Sequence, residues 1–164
     1  MLALEDAYEA GPGTLLRFNA GVLAVFSQHR QHGKRPEAGG VLIGRDFPGQ
    51  GIIVEVATVP CGRDRAGRTW FNRSRANAQE AVDAAWHRSG GEQIYLGEWH
   101  THPEDIPSPS WRDQAMIRNM HEQTQMEINY LVLVIVGRQE NWVGIRDKAG
   151  LRKLRPQQPQ MSIG

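Results

Sequence analysis

Residues 98–113 read "EWHTHPEDIPSPSWRD", and they put two of the six histidines of the chain one residue apart. In an extended strand, side chains alternate between faces. His100 and His102 would therefore project from one face, with Trp99 and Thr101 on the other. Two imidazoles on one face can grip one metal ion, at about 2.0–2.1 Å per nitrogen for zinc. Pro103 ends the strand, because it has no N–H to give to a ladder. Downstream, Ser108 suits a helix N-cap and Pro109 the first helical position, while Ser110 and Asp113, three apart, share a helical face. The intervening turn is long enough to swing that face back over the strand end. His100, His102 and Asp113 would then surround one ion, with Ser110 beside it and a fourth position open to water. Three protein ligands and a water describe a catalytic zinc site rather than a structural one. A string this specific arises by chance with odds of roughly one in a few thousand.

Such a site also needs a carboxylate to relay a proton from the attacking water to the leaving group. Glu98 lies two residues before His100, on the same expected strand face. Glu37, in "PEAGGVLIG", is the second candidate, and sequence physics alone does not separate the two. The remaining histidines, His29, His32, His87 and His121, fall near the ends of expected helices, where a positive charge is favourable, and are read as surface residues. "HEQTQ" at 121–125 opens like a zincin helix but lacks its second histidine.

The elements that must carry these residues follow from periodicity. After a loose start, "TLLRF" reads as a strand. Asn19 caps a helix, "AGVLAVFSQHRQHG", that runs to Gly33. Strands over 37–44 and 51–59 follow, joined by the turn "RDFPGQ". A helix over 74–88 shows Ala78, Val82, Ala85 and Trp86 on one face. "EQIYLGEWHTH" is a strand, and residues from about Pro109 to about Glu122 form a helix. Two further strands, "INYLVLVIVG" and "NWVGIRD", complete the pattern. Strands alternating with helices predict one α/β domain with a mixed sheet flanked by helices over residues 1–155, and a flexible polar tail over 156–164.

Composition narrows the function classes. The net charge of +1 gives no general pull toward nucleic acid. The longest apolar run, "YLVLVIVG", falls far short of the roughly 20 residues of a membrane span. The N-terminal stretch lacks a basic segment ahead of an apolar one, so no secretory signal is expected. Cys61 is the only cysteine, which excludes an internal disulfide and multi-thiolate zinc sites and fits a cytoplasmic setting. Residues 61–75 carry Arg63, Arg65, Arg68, Arg73 and Arg75 against the single acid Asp64. This is a solvated loop, or a basic lip facing an acidic or carbonyl-rich partner with Trp70 and Phe71 as apolar anchors, or, as a third reading, a nucleic-acid contact.

The string His100, His102, Ser110 and Asp113 resembles the JAMM motif of the MPN+ (JAB-domain) metalloproteases, with Glu37 as the glutamate found upstream in that family. The resemblance spans roughly residues 15–146. It implies an MPN/JAB-like fold, layered like the cytidine deaminases. It further implies one Zn2+ with a bound water, held by His100, His102 and Asp113, Glu37 as general base and Ser110 supporting the oxyanion. The implied activity is hydrolysis after the C-terminal glycine of ubiquitin or a ubiquitin-like modifier, as deconjugation or precursor processing. "YLGEWHTHPE" with "PSPSWRD" is most similar to deconjugating proteases of bacterial anti-phage operons of the CBASS and Bil type. Implied partners are a ubiquitin-like conjugate and operon-encoded E1- or E2-like proteins. The alternatives are a peptidase processing a small sulfur-carrier protein, and a non-catalytic scaffold of the same fold.

Overall fold

The apolar stretches of the sequence become the middle strands of one large sheet. A computed structural model describes residues 7–124 and 128–158. In chain order the elements are β1 (Ala7–Gly11), β2 (Thr14–Phe18), α1 (Ala20–Gln28), β3 (Gly39–Phe47), β4 (Gly51–Ala57), β5 (Arg65–Ala66), β6 (Phe71–Asn72) and α2 (Arg75–Arg88). They continue with β7 (Ile94–Thr101), α3 (Trp111–Gln123), β8 (Leu131–Val136), β9 (Asn141–Asp147), β10 (Gly150–Lys153) and β11 (Arg155–Pro156). Nine strands form a mixed sheet in the order β10-β9-β8-β7-β3-β4-β2-β1-β11, and β5 pairs with β6 in a small separate ribbon. This is the α/β architecture with flanking helices that the sequence predicts.

β8 shows why the sheet is buried on both sides. All six of its residues, "LVLVIV", are buried. Val132, Val134 and Val136 join one core with Phe18, Val22, Phe26, Leu96 and Trp99. Leu131, Leu133 and Ile135 face the other way, with Ile117 of α3. A strand sandwiched between helical layers has no polar face, so it reads as a continuous apolar run. α1 thus covers one face of the sheet, and α2 and α3 the other.

β7 runs parallel to β8, with α3 as the crossover, and antiparallel to β3. Its end therefore lies mid-sheet, where helix-flanked sheets commonly bind ligands. The β3–β7 register shifts between Leu42 and Ile43, which face Gly97 and Tyr95, so Leu96 is the extra residue of a bulge. The bulge re-phases the strand: Leu96 and Trp99 enter the α1-side core, and Tyr95 packs on the opposite side. Gly97 permits the approach, since a Cβ there would sit 1.9 Å from the Val132 carbonyl oxygen.

Several local expectations give way to tertiary packing. The expected loose start contains β1, because Tyr8 and Ala10 bury in the core and the Gly11–Thr14 turn pairs the strand with β2. α1 stops at Gln28 rather than Gly33; the His29 ring meets the Val25 carbonyl at 2.8 Å and closes the helix. His29 is half-buried against Trp99, with ring centroids 5.7 Å apart, and is not a surface residue. Trp86 is 39% exposed, whereas Ala78 and Ala85 are buried and pack with Val41 and Ile43 of β3. Arg155–Pro156 pairs with β1, and the expected polar tail from residue 159 on lies outside the described residues. Among the described residues no helix is long and apolar enough to cross a membrane.

Phe26 joins the sheet to α1, contacting Phe18 at 5.9 Å and Trp99 at 5.4 Å between centroids. Phe26→Ala is expected to destabilise the protein by about 3–5 kcal/mol, read as a lower urea midpoint with unchanged slope.

Candidate metal centre

The site forms where the end of β7 meets the start of α3. His100 and His102 are both buried and project from the same side of the strand, as period-two alternation requires. Their Nε2 atoms lie 3.2 Å apart. Asp113 completes the group: its Oδ1 is 2.9 Å from His100 Nε2 and its Oδ2 is 3.1 Å from His102 Nε2. These three side chains are a group whose donor atoms converge closely enough to hold one metal ion.

Asp113 reaches this position because of how α3 begins. Ser110, not Ser108, is the N-cap, and the helix starts at Trp111 rather than Pro109. Ser110 Oγ accepts the Asp113 N–H at 3.2 Å, and Asp113 Oδ2 accepts the Ser110 N–H at 2.7 Å. This reciprocal capping box outcompetes the Ser108 start by satisfying two helix-end amides at once. Ser110 is exposed, immediately beside the donors, and its hydroxyl oxygen is engaged as an acceptor in the cap.

Although burial pushes the Asp113 carboxyl up, hydrogen bonds from His100, His102 and the Ser110 amide hold it well below the usual carboxylate range. His102 is affected in the reverse sense: burial lowers its pKa, but Asp113, Glu37 and Glu104 outweigh burial and raise it. Glu104 Oε1 lies 2.8 Å from His102 Nδ1. A proton held on Nδ1 by that carboxylate leaves Nε2 free as a donor toward an ion. Glu104 lies two residues after His102, a spacing that the sequence displays without singling it out.

The two candidate carboxylates separate in space. Glu37, only 6% exposed, lines an open cavity of about 630 Å³ together with His100, Asp113, Trp70, Phe71 and Trp111. Burial pushes its carboxyl up to about 7 against the pull of His102. Its backbone N–H donates to the Gly67 carbonyl at 2.7 Å, which ties the Arg-rich loop to the cavity wall. Glu98, also buried, turns to Arg73 and to the Tyr95 hydroxyl, which donates to it at 3.0 Å. Its carboxylate is therefore engaged by Arg73 and Tyr95. Burial pushes Glu98 up as well, to about 7, while the Arg73 guanidinium pulls it down.

The Arg-rich loop is thus ordered against the site by β5, β6 and its own contacts. Phe71 covers Gly39, where a Cβ would fall 2.7 Å from the ring. Trp70 and Trp111, 39% and 75% exposed, flank the cavity from the loop and from α3. Arg73 turns inward, whereas Arg65, Arg68 and Arg75 remain exposed.

Residues 19–147 match the family described as prokaryotic homologs of the JAB domain. A CD-NTase/cGAS isopeptidase of Escherichia coli (strain TW11681) is 33% identical over 135 residues, covering 82% of this chain and 83% of the relative. A protein of the same name from Vibrio cholerae is 38% identical over 128 residues, covering 77% of this chain and 78% of the relative. A probable metalloprotease, y4qB, of Sinorhizobium fredii is 28% identical over 111 residues, 65% of this chain and 66% of its own. Among solved structures, protein DSY2949 of Desulfitobacterium hafniense shares the fold, with a TM-score of 0.56 at 18% identity, over 84% of this chain and 88% of that one.

Removing Glu98 leaves the Arg73 guanidinium without its buried partner. Glu98→Ala is expected to cost about 3 kcal/mol in urea denaturation while bound metal, read by elemental mass spectrometry, stays at the wild-type level.

Proposed function

This chain belongs to the family of prokaryotic homologs of the JAB domain, and is a hydrolase; from that premise we propose that it is a zinc-dependent isopeptidase. Its substrate is a conjugate, cut after the C-terminal glycine of a ubiquitin-like modifier. The observation that carries this reading is the convergence of His100, His102 and Asp113 beside a cavity that Glu37 also lines. Relatives bearing the name CD-NTase/cGAS isopeptidase support a conjugate that contains a CD-NTase. The setting proposed is a bacterial anti-phage operon, with E1- and E2-like proteins making the bond that this enzyme breaks.

The donor set fits zinc. Two imidazole nitrogens and a carboxylate oxygen are among its usual ligands, and donors around a tetrahedral zinc lie about 3.3 Å apart. The separations here, 2.9 to 3.2 Å, are slightly tighter. A zinc ion held there supplies Lewis acidity and makes water acidic enough to attack near neutral pH.

The protein's own groups do the rest. Glu37, a buried carboxylate with raised proton affinity, accepts the proton of the attacking water and hands it to the departing amine. Ser110 uses its oxygen lone pair in the cap, which leaves its O–H to donate to the oxyanion that develops on the scissile carbonyl. Trp70, Phe71 and Trp111 wall the cavity and restrict water around the extended tail of the substrate.

The test is intact-mass analysis of the protein with ubiquitin-like proteins fused through their terminal glycine to a reporter, and with CD-NTase conjugates. Wild type is expected to cleave after the glycine. Glu37→Ala is expected to retain zinc and lose about 100-fold or more in turnover. Chelation should abolish cleavage, with zinc restoring it, whereas activity that survives complete metal removal would overturn the assignment.

A further inference from the structure

On the face of β7 turned away from the donors, Thr101 meets Gln31, whose side chain is fully buried. Burying a primary amide is costly unless its hydrogen-bonding groups find partners. Here they do. Gln31 Oε1 accepts the Thr101 hydroxyl at 2.8 Å, and Nε2 donates to the carbonyls of Arg35 and Arg68, each at 3.0 Å. The Gln31 backbone carbonyl in turn accepts from Arg138 Nε at 2.8 Å, which holds the residue in place.

These bonds close a ring around Glu37. Thr101 Oγ1 accepts the Ala38 N–H at 3.0 Å, and the Thr101 N–H donates to the Ala38 carbonyl at 2.8 Å. On its other side, the Glu37 N–H donates to Gly67, whose neighbour Arg68 is held by Gln31. Both flanks of Glu37 therefore lead back to one amide, and that amide is anchored between His100 and His102. Chemistry at a site like this one is sensitive to misplacement of about 1 Å, at a cost near 100-fold.

We infer that Gln31 is a positioning residue: it fixes the backbone of Glu37 relative to the strand that carries His100 and His102. The inference rests on the role of Glu37 as the base. A merely structural amide would lower stability and weaken every step alike. A positioning amide acts through Glu37, so its loss falls on kcat and disappears once Glu37 can no longer take a proton.

The first arm of the test is independent of any substrate. In metal-free protein, Gln31→Met is expected to speed amide hydrogen exchange at Glu37 and Ala38 by about tenfold or more, with β8 and β9 unchanged. Unchanged exchange at Glu37 overturns the inference. The second arm uses a glycine-fused reporter cleaved by wild type. Gln31→Met should lower kcat by about 10- to 100-fold with KM within about threefold, and by less than about twofold when introduced into Glu37→Gln. An equal loss in both backgrounds overturns it. Thr101→Val should reproduce the Gln31→Met behaviour, whereas Thr101→Ser, which keeps the hydroxyl, should behave as wild type; this keeps the test open if Gln31→Met fails to fold. If wild type cleaves no reporter, the isopeptidase reading falls and the exchange arm alone decides the role of Gln31.

Discussion

The reciprocal hydrogen bonds between Ser110 and Asp113 decide where α3 begins, and the geometry of the site depends on that start. Asp113 uses one carboxylate for two tasks. It closes the first turn of the helix, and it faces both His100 and His102. A side chain tied to a helix N-terminus has few rotamers left, and the positive end of the helix favours its ionised form. The central position of β7, between β3 and β8, then makes the strand that carries the histidines equally rigid. His100 sits on β7 and Asp113 in the first turn of α3, while His102 follows directly on β7 with its N–H held by the Val136 carbonyl at 3.0 Å.

Two buried carboxylates near one strand end take different roles because their partners differ. Glu98 faces Arg73 and the Tyr95 hydroxyl, an ionic group fully engaged by protein. Such a pair gains little net stability over apolar packing, yet losing one member is costly. Its effect is to fasten the end of the Arg-rich loop to β7. Glu37 forms no ion pair among the described residues and opens onto the cavity, so its carboxylate has room for water and substrate. Desolvation raises the proton affinity of both, but only Glu37 lines the cavity beside His100 and Asp113.

The Arg-rich segment joins these features. Read as charge alone, it is a solvated loop, a lip or a nucleic-acid contact. In the fold it is pinned from three sides: by Gly67 on the Glu37 amide, by Phe71 over Gly39, and by Arg73 on Glu98. Arg63 approaches Glu80 at 3.8 Å, while Arg65, Arg68 and Arg75 are exposed. The segment is a wall of the cavity with an outward-facing basic edge.

The sequence by itself determined what acts over a few residues. Alternation along "WHTHP" puts both histidines on one face, the Ser-x-x-Asp spacing joins a helix start to a candidate ligand, and the apolar run of β8 marks a strand covered on both sides. These features follow from backbone periods of two and 3.6 residues, which need no knowledge of the rest of the chain. Tertiary structure decided the rest. Which of two serines caps α3, which carboxylate faces Arg73, why Trp86 stays in solvent, and that Gln31 meets Thr101 across 70 residues all depend on how separate segments pack. No local spacing encodes a hydrogen bond between distant segments. Those partners are within reach only in the assembled sheet, with its bulge at Leu96.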